Sequence, residues 1–144
     1  NKVDSSKHMV NTFEFYELIK KLMDKEGIMI TQAGSPYFAT EAFLSIGRTI
    51  EAAGFDTKPI HNQILTLGEW GWYICSLDQS SAELGAKLTL QKEVPIDTKW
   101  FNNEAAQLIA AFGKPQSDTT HIGINSLENP LVYQYYLKGN WNLN

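Results

Sequence analysis

The stretch Ile28-Met29-Ile30-Thr31-Gln32-Ala33-Gly34-Ser35-Pro36-Tyr37-Phe38 decides the fold. It opens as an apolar, β-forming run and passes through the polar pair Thr31-Gln32 into Ala33-Gly34-Ser35-Pro36. Gly34 allows backbone angles that other residues resist, and Pro36 fixes its own φ and lacks an N–H donor. From Phe38 to Ala53 apolar residues return at helical spacing. The local reading is strand, tight loop, helix. In open α/β sheets, ligands sit in the crevice beyond the carboxyl ends of the strands, and Gln32 with the loop after it occupies that position. Two readings stay open on these residues alone. One is a junction that only needs a turn; the other is a junction whose Gln32 lines a ligand site.

Upstream, Asn1 to Val10 is polar and aperiodic and reads as an arm, with His8 solvated in it. Asn11 or Thr12 caps a helix whose stripe is Phe13, Tyr16, Leu18, Ile19, Leu22 and Met23. Glu14 and Glu17 lie toward its positive end and Lys20 and Lys21 toward the other, as the helix dipole favours. Gly27 reads as its stop.

Downstream, the second helix carries Phe38, Ala42, Phe43, Ile46, Ile50 and Ala53, and Gly54 ends it. A second strand runs from Phe55 to Ile64, with Pro59 marking it as an edge or bulged strand. A bend around Gly68 leads to a third strand, Trp70 to Leu77, dense enough in apolar residues to suggest cover on both faces. This order fits the end of an α/β sheet: two parallel neighbours closed by a reversed strand, the last two forming a hairpin. Asp78 to Ile96 reads as loop with short ordered pieces. Asn102 or Asn103 caps a helix from Glu104 to Phe112, stopped by Gly113 and Pro115. Lys114 to His121 is a polar connection. Asn129-Pro130 starts a last helix with Leu131, Val132, Tyr135, Tyr136 and Leu137 on its apolar face, ended by Gly139.

The chain has 144 residues, 43% of them hydrophobic, which fits one domain with a real core. A net charge of −4 leaves no basic surplus for phosphates, so nucleic-acid binding is not expected. The single cysteine, Cys75, excludes an internal disulfide, and in a core strand it reads as an inert small hydrophobe. Asp78, Asp97, Asp118 and the histidines show no metal-ligand spacing. Tyr133, Tyr135, Tyr136 and Trp141 read as packing rather than a stacking platform. The polar start without Met suggests a piece of something longer.

Four segments carry a resemblance. They are Phe13–Phe38 (FEFYELIKKLMDKEGIMITQAGSPYF), Ala42–Phe55 (AFLSIGRTIEAAGF), Leu67–Ser76 (LGEWGWYICS) and Ser126–Trp141 (SLENPLVYQYYLKGNW). Together they resemble the C-terminal part of the catalytic domain of spermidine synthases, the polyamine aminopropyltransferases, including bacterial forms fused to membrane helices. The resemblance implies a Rossmann-like fold of the S-adenosylmethionine methyltransferase type, of which this chain holds the last three strands, the final antiparallel hairpin and C-terminal helices. On that reading residues 1–144 form a single partial domain: an arm over 1–11, an α/β core over 12–77 and an extension over 78–144. The implied activity is transfer of an aminopropyl group from decarboxylated S-adenosylmethionine, a co-substrate rather than a tightly bound cofactor, to putrescine or a related amine.

The family's acceptor-site glutamine follows the strand matching Ile28–Thr31, so Gln32 takes its place. Glu69 and Trp70, at the mouth of the hairpin, are further candidates for the amine-binding cleft. The family's glycine-rich loop and ribose-holding acid are not in these residues, and its catalytic Asp would lie before Asn1. A substrate-holding tyrosine of several members would fall near Leu65, which carries no phenol. The isolated chain is therefore expected to be inactive. The implied setting is cytoplasmic, the protein homo-oligomeric, and a membrane is involved only if the parent carries N-terminal helices. The rivals are a non-catalytic assembly module that keeps this half-fold, and a related transferase acting on another amine.

Overall fold

In the computed structural model, residues 9–89, 96–113 and 119–140 are described. Helix α1, Phe13–Leu22, starts where the Thr12 hydroxyl accepts the Phe15 amide at 3.2 Å. Tyr16 is its fully buried residue. The expected stripe is narrower than the spacing suggests: Leu18 and Leu22 are exposed, and the helix ends at Leu22 rather than Gly27. The chain turns earlier, and Gly27 closes a separate turn by donating to the Asp24 carbonyl at 2.9 Å.

Strand β1, Ile28–Gly34, leads to helix α2, Thr40–Ala52, which buries Ala42, Phe43, Ile46 and Ile50. Strand β2, Asp56–Ile64, and strand β3, Gly68–Ser76, form the expected hairpin. The sheet order is β1-β3-β2, with both pairings antiparallel. This corrects the expected arrangement, because the reversed strand lies between the two parallel ones instead of closing the sheet. The α2 crossover sets β2 parallel to β1 but one strand's width away, and β3 fills the gap by turning back from β2. Chain order is not spatial order in about a third of consecutive strands. Pro59 does lie on an edge strand.

Side chains alternate across a strand, so each face of this sheet has its own set of residues. Gly71, Tyr73 and Cys75 of β3 are buried on the face that meets α2, where the Tyr73 ring stacks on Phe43 at 4.7 Å. Trp70, Trp72 and Ile74 turn the other way and are only half-buried. The expected cover on both faces of β3 is therefore complete on one face only. The same opposite face carries Ile28 and Ile30 of β1, both exposed.

Helix α3, Ser81–Thr89, occupies part of the region expected to be mostly loop. Its start is a capping box: Glu83 accepts from the Ser80 amide at 2.8 Å, and the Ser80 hydroxyl oxygen accepts from the Glu83 amide at 3.3 Å. Helix α4, Asn103–Ile109, is capped by the Asn102 side chain as expected but stops three residues short of Phe112. Helix α5, Leu131–Lys138, buries Val132 and Tyr135 and leaves Leu137 exposed. The expectations for the arm up to His8, for Pro115 and most of the polar connection after it, and for Trp141 fall outside the described residues.

Candidate functional site

The carboxyl ends of β1 and β2 and the start of β3 come to the same end of the sheet. Gln32 pairs with Trp72 there, and its side chain is exposed. A bulge at Ala33 follows, after which Gly34 pairs with Gly71. Gly34 has φ +78°, and a Cβ at that position would collide with the Tyr136 hydroxyl. The buried Ser35 hydroxyl oxygen then accepts the Tyr37 and Phe38 amides at 3.3 and 3.0 Å. It holds the loop that turns the chain into α2, whose own cap, Ala39, has no side chain to offer.

The sheet's alternation sorts the three expected site residues. Gln32 and Trp70 share the face away from α2, both at this end. Trp70 is half-buried, and its indole N–H is buried with no acceptor among the described residues. Glu69 lies on the opposite face, where its carboxylate pairs with Nδ1 of His61. His61 Nε2 in turn bonds the Ala111 carbonyl at 2.7 Å, while the ring packs 4.3 Å from Phe112 and edge-on to Tyr37. The structure thus puts Gln32 and Trp70 on one face, with Trp72 directly opposite Gln32, and assigns Glu69 to a His61 clamp on the other. Sequence reading missed that clamp, although the hairpin register puts residues 61 and 69 on one face, two residue pairs apart. Leu65, at the tip of the hairpin, is fully exposed.

In the core behind the sheet the buried titratable groups are held neutral. Burial pushes the Cys75 thiol up to about 12, with the Glu51 carboxylate adding to the effect. Burial also raises the Tyr16, Tyr73 and Tyr136 phenols. A thiol so placed is a poor nucleophile, as expected for Cys75. His61 is committed to Glu69 and the Ala111 carbonyl.

Comparison with known proteins gives this geometry a context. Residues 2–86, which include α1, the whole sheet and α2, match the spermine/spermidine synthase domain model, and the chain belongs to that family. It is 34% identical over 125 residues to the polyamine aminopropyltransferase of Shewanella oneidensis, covering 85% of this chain and 21% of that protein. It is 34% identical over 129 residues to polyamine aminopropyltransferase 2 of Aquifex aeolicus, covering 90% of this chain and 24% of that protein. The Mycobacterium tuberculosis polyamine aminopropyltransferase is 41% identical over 64 residues, covering 44% of this chain and 12% of that protein. The chain therefore spans about a quarter or less of the length of these relatives.

Proposed function

We propose that this chain supplies the amine-acceptor side of an aminopropyltransferase active site. The observation that carries the reading is the exposed Gln32 at the carboxyl end of β1, inside the residues that match the family. In this reading β1 is an inner strand of a larger Rossmann-like, S-adenosylmethionine methyltransferase-type sheet, and its free edge receives a further strand of the parent polypeptide. The donor-binding loop and the catalytic acid belong to that other part, so the chain by itself transfers nothing.

The reaction forms a bond from the acceptor nitrogen to the aminopropyl carbon next to the sulfonium. The carbon–sulfur bond breaks, and its electron pair stays on sulfur as a neutral thioether. The amine attacks as the free base and gives up a proton afterwards, so its charge state matters. A carboxylate beside it would favour the ammonium form. The Gln32 amide oxygen accepts an amine N–H without adding charge, and it orients the lone pair at less cost to nucleophilicity. Trp70, on the same face, supplies an apolar wall and an indole N–H without an acceptor. Glu69 acts indirectly, by fixing His61 and the hairpin from the far side.

The acceptor is putrescine or a related amine, and Leu65, which offers no hydrogen bond to the distal amine of a diamine, favours one other than putrescine. The protein works as a homo-oligomer facing the cytoplasm; among the described residues no helix is long and apolar enough to cross a membrane. Assay of the full-length protein with decarboxylated S-adenosylmethionine and a panel of diamines tests the reading. Transfer to at least one amine is expected, with a preference shifted away from putrescine in length or apolarity. Absence of transfer to every amine would instead favour the non-catalytic assembly module, for which the open β1 edge would be the docking strand.

A further inference from the structure

On the face of the sheet opposite Gln32, α2 carries two opposite charges that do not meet. Arg48 and Glu51 are one turn apart and both exposed. Neither makes an ion pair among the described residues. Their side chains diverge instead. Arg48 Nη1 donates to the Thr119 carbonyl at 2.7 Å, and Glu51 Oε1 accepts from the Thr57 hydroxyl at 2.8 Å. Between them lies a cleft of about 260 Å³, lined in addition by Gly47, Pro59, Tyr73 and Ser81.

We propose that this cleft binds a small zwitterion of the α-amino-acid type, with its carboxylate on Arg48 and its ammonium on Glu51. Among the described residues Arg48 uses one of its five N–H donors, on Thr119, and the others can meet a carboxylate. Glu51 has Oε2 to spare for an ammonium. A simple anion in the cleft faces the Glu51 carboxylate, and a simple cation faces the Arg48 guanidinium. Only a molecule carrying both charges satisfies both walls. The floor between them is uncharged: Pro59, the Tyr73 ring and the bare backbone of Gly47.

Gly47 lets α2 lie close on Tyr73 beside the cleft. A Cβ there would lie 2.5 Å from the Tyr73 hydroxyl and 2.6 Å from its ring carbon, so no side chain fits between α2 and β3. The Tyr73 hydroxyl donates to the Phe43 carbonyl at 3.1 Å and stays protonated, its phenol raised first by burial and then by the Glu51 charge. The cleft, at about 260 Å³, has room for a free amino acid. The site is separate from the acceptor site, because the sheet stands between Gln32 and Tyr73.

The test is an NMR titration of the protein with L-methionine, alongside N-acetyl-L-methionine and L-methionine methyl ester, each of which lacks one charge. The expected result is saturable shifts of the Gly47, Arg48 and Glu51 amides at millimolar L-methionine, with both blocked compounds at least ~10-fold weaker. Arg48→Gln and Glu51→Gln should each weaken L-methionine binding by a similar factor while the rest of the spectrum is unchanged. No shift up to ~50 mM, or equal binding of the blocked compounds, would overturn the proposal. The blocked compounds are read on the unaltered protein, so a variant that folds poorly does not remove the test.

Discussion

Gly34 and Cys75 show how single residues are constrained by their surroundings. Gly34 combines a left-handed backbone with the approach of the Tyr136 hydroxyl, so Gly34→Ala adds both strain and a clash. It should lower stability by about 1–3 kcal/mol, read from the urea midpoint. Cys75 gives a pH signature. Its thiol is raised from an ordinary value of 9.0 to about 12. The unfolded chain therefore gives up this proton before the folded one does. The stability it contributes is present in full below pH 9 and is lost as the pH rises toward about 12. The raised Tyr16 and Tyr73 phenols act in the same direction above their ordinary values. Urea midpoints should fall between pH ~8.5 and ~10.5, and less steeply in Cys75→Ala. Gln32 could be placed from its sequence alone, because a strand followed by Gly and Pro leaves little choice of location. The partner of Glu69 could not, because it depends on the exact hairpin register, which the run I-L-T-L-G-E leaves open.

Strand β1 carries the consequence at the next level of organisation. Its outer edge has no proline and no charge, and Ile28 and Ile30 are exposed on its uncovered face. The other edge strand, β2, has Pro59 and is flanked by α3 and α4. An edge of the first kind pairs with whatever strand it meets. The isolated chain should therefore self-associate through β1 as its concentration rises, and Ile30→Lys should weaken this at least ~10-fold by sedimentation. A monomer at every concentration would show that the edge needs no neighbour. Helices α1, α2, α4 and α5 were legible from their apolar spacing and caps, with Thr12 and Asn102 the caps chosen from the pairs Asn11/Thr12 and Asn102/Asn103, and Pro130 rather than Asn129 at the start of α5. The strand order was not, since local sequence says which segments extend but not which gap a returning strand fills. Helix α3 was not read as a helix: Ser80-x-x-Glu83 marks its start, but its weak apolar periodicity hid it in a stretch that reads as loop.

The molecule as a whole is tied together through Asn125. It is buried, and its side chain donates to the Asn11 carbonyl at 2.8 Å and accepts the Val132 amide at 3.1 Å. Its own amide donates to the Thr49 hydroxyl at 2.9 Å, and its carbonyl accepts the Phe13 amide at 2.8 Å. One residue thus joins the starts of α1 and α5 to the middle of α2. Those three helices lie on the side of the sheet that carries Tyr73, while Gln32 and Trp70 are on the other, where Gln32 is exposed. Acceptor binding on that face is what the functional reading requires. The decisive experiment is steady-state aminopropyl transfer by the full-length protein and its Gln32→Ala variant, with the amine and the donor varied separately. Loss of one hydrogen bond to the amine should raise the KM for the acceptor about 10-fold and leave the KM for decarboxylated S-adenosylmethionine unchanged. An acceptor KM that does not move, or a loss confined to the donor, would mean that the amine binds elsewhere.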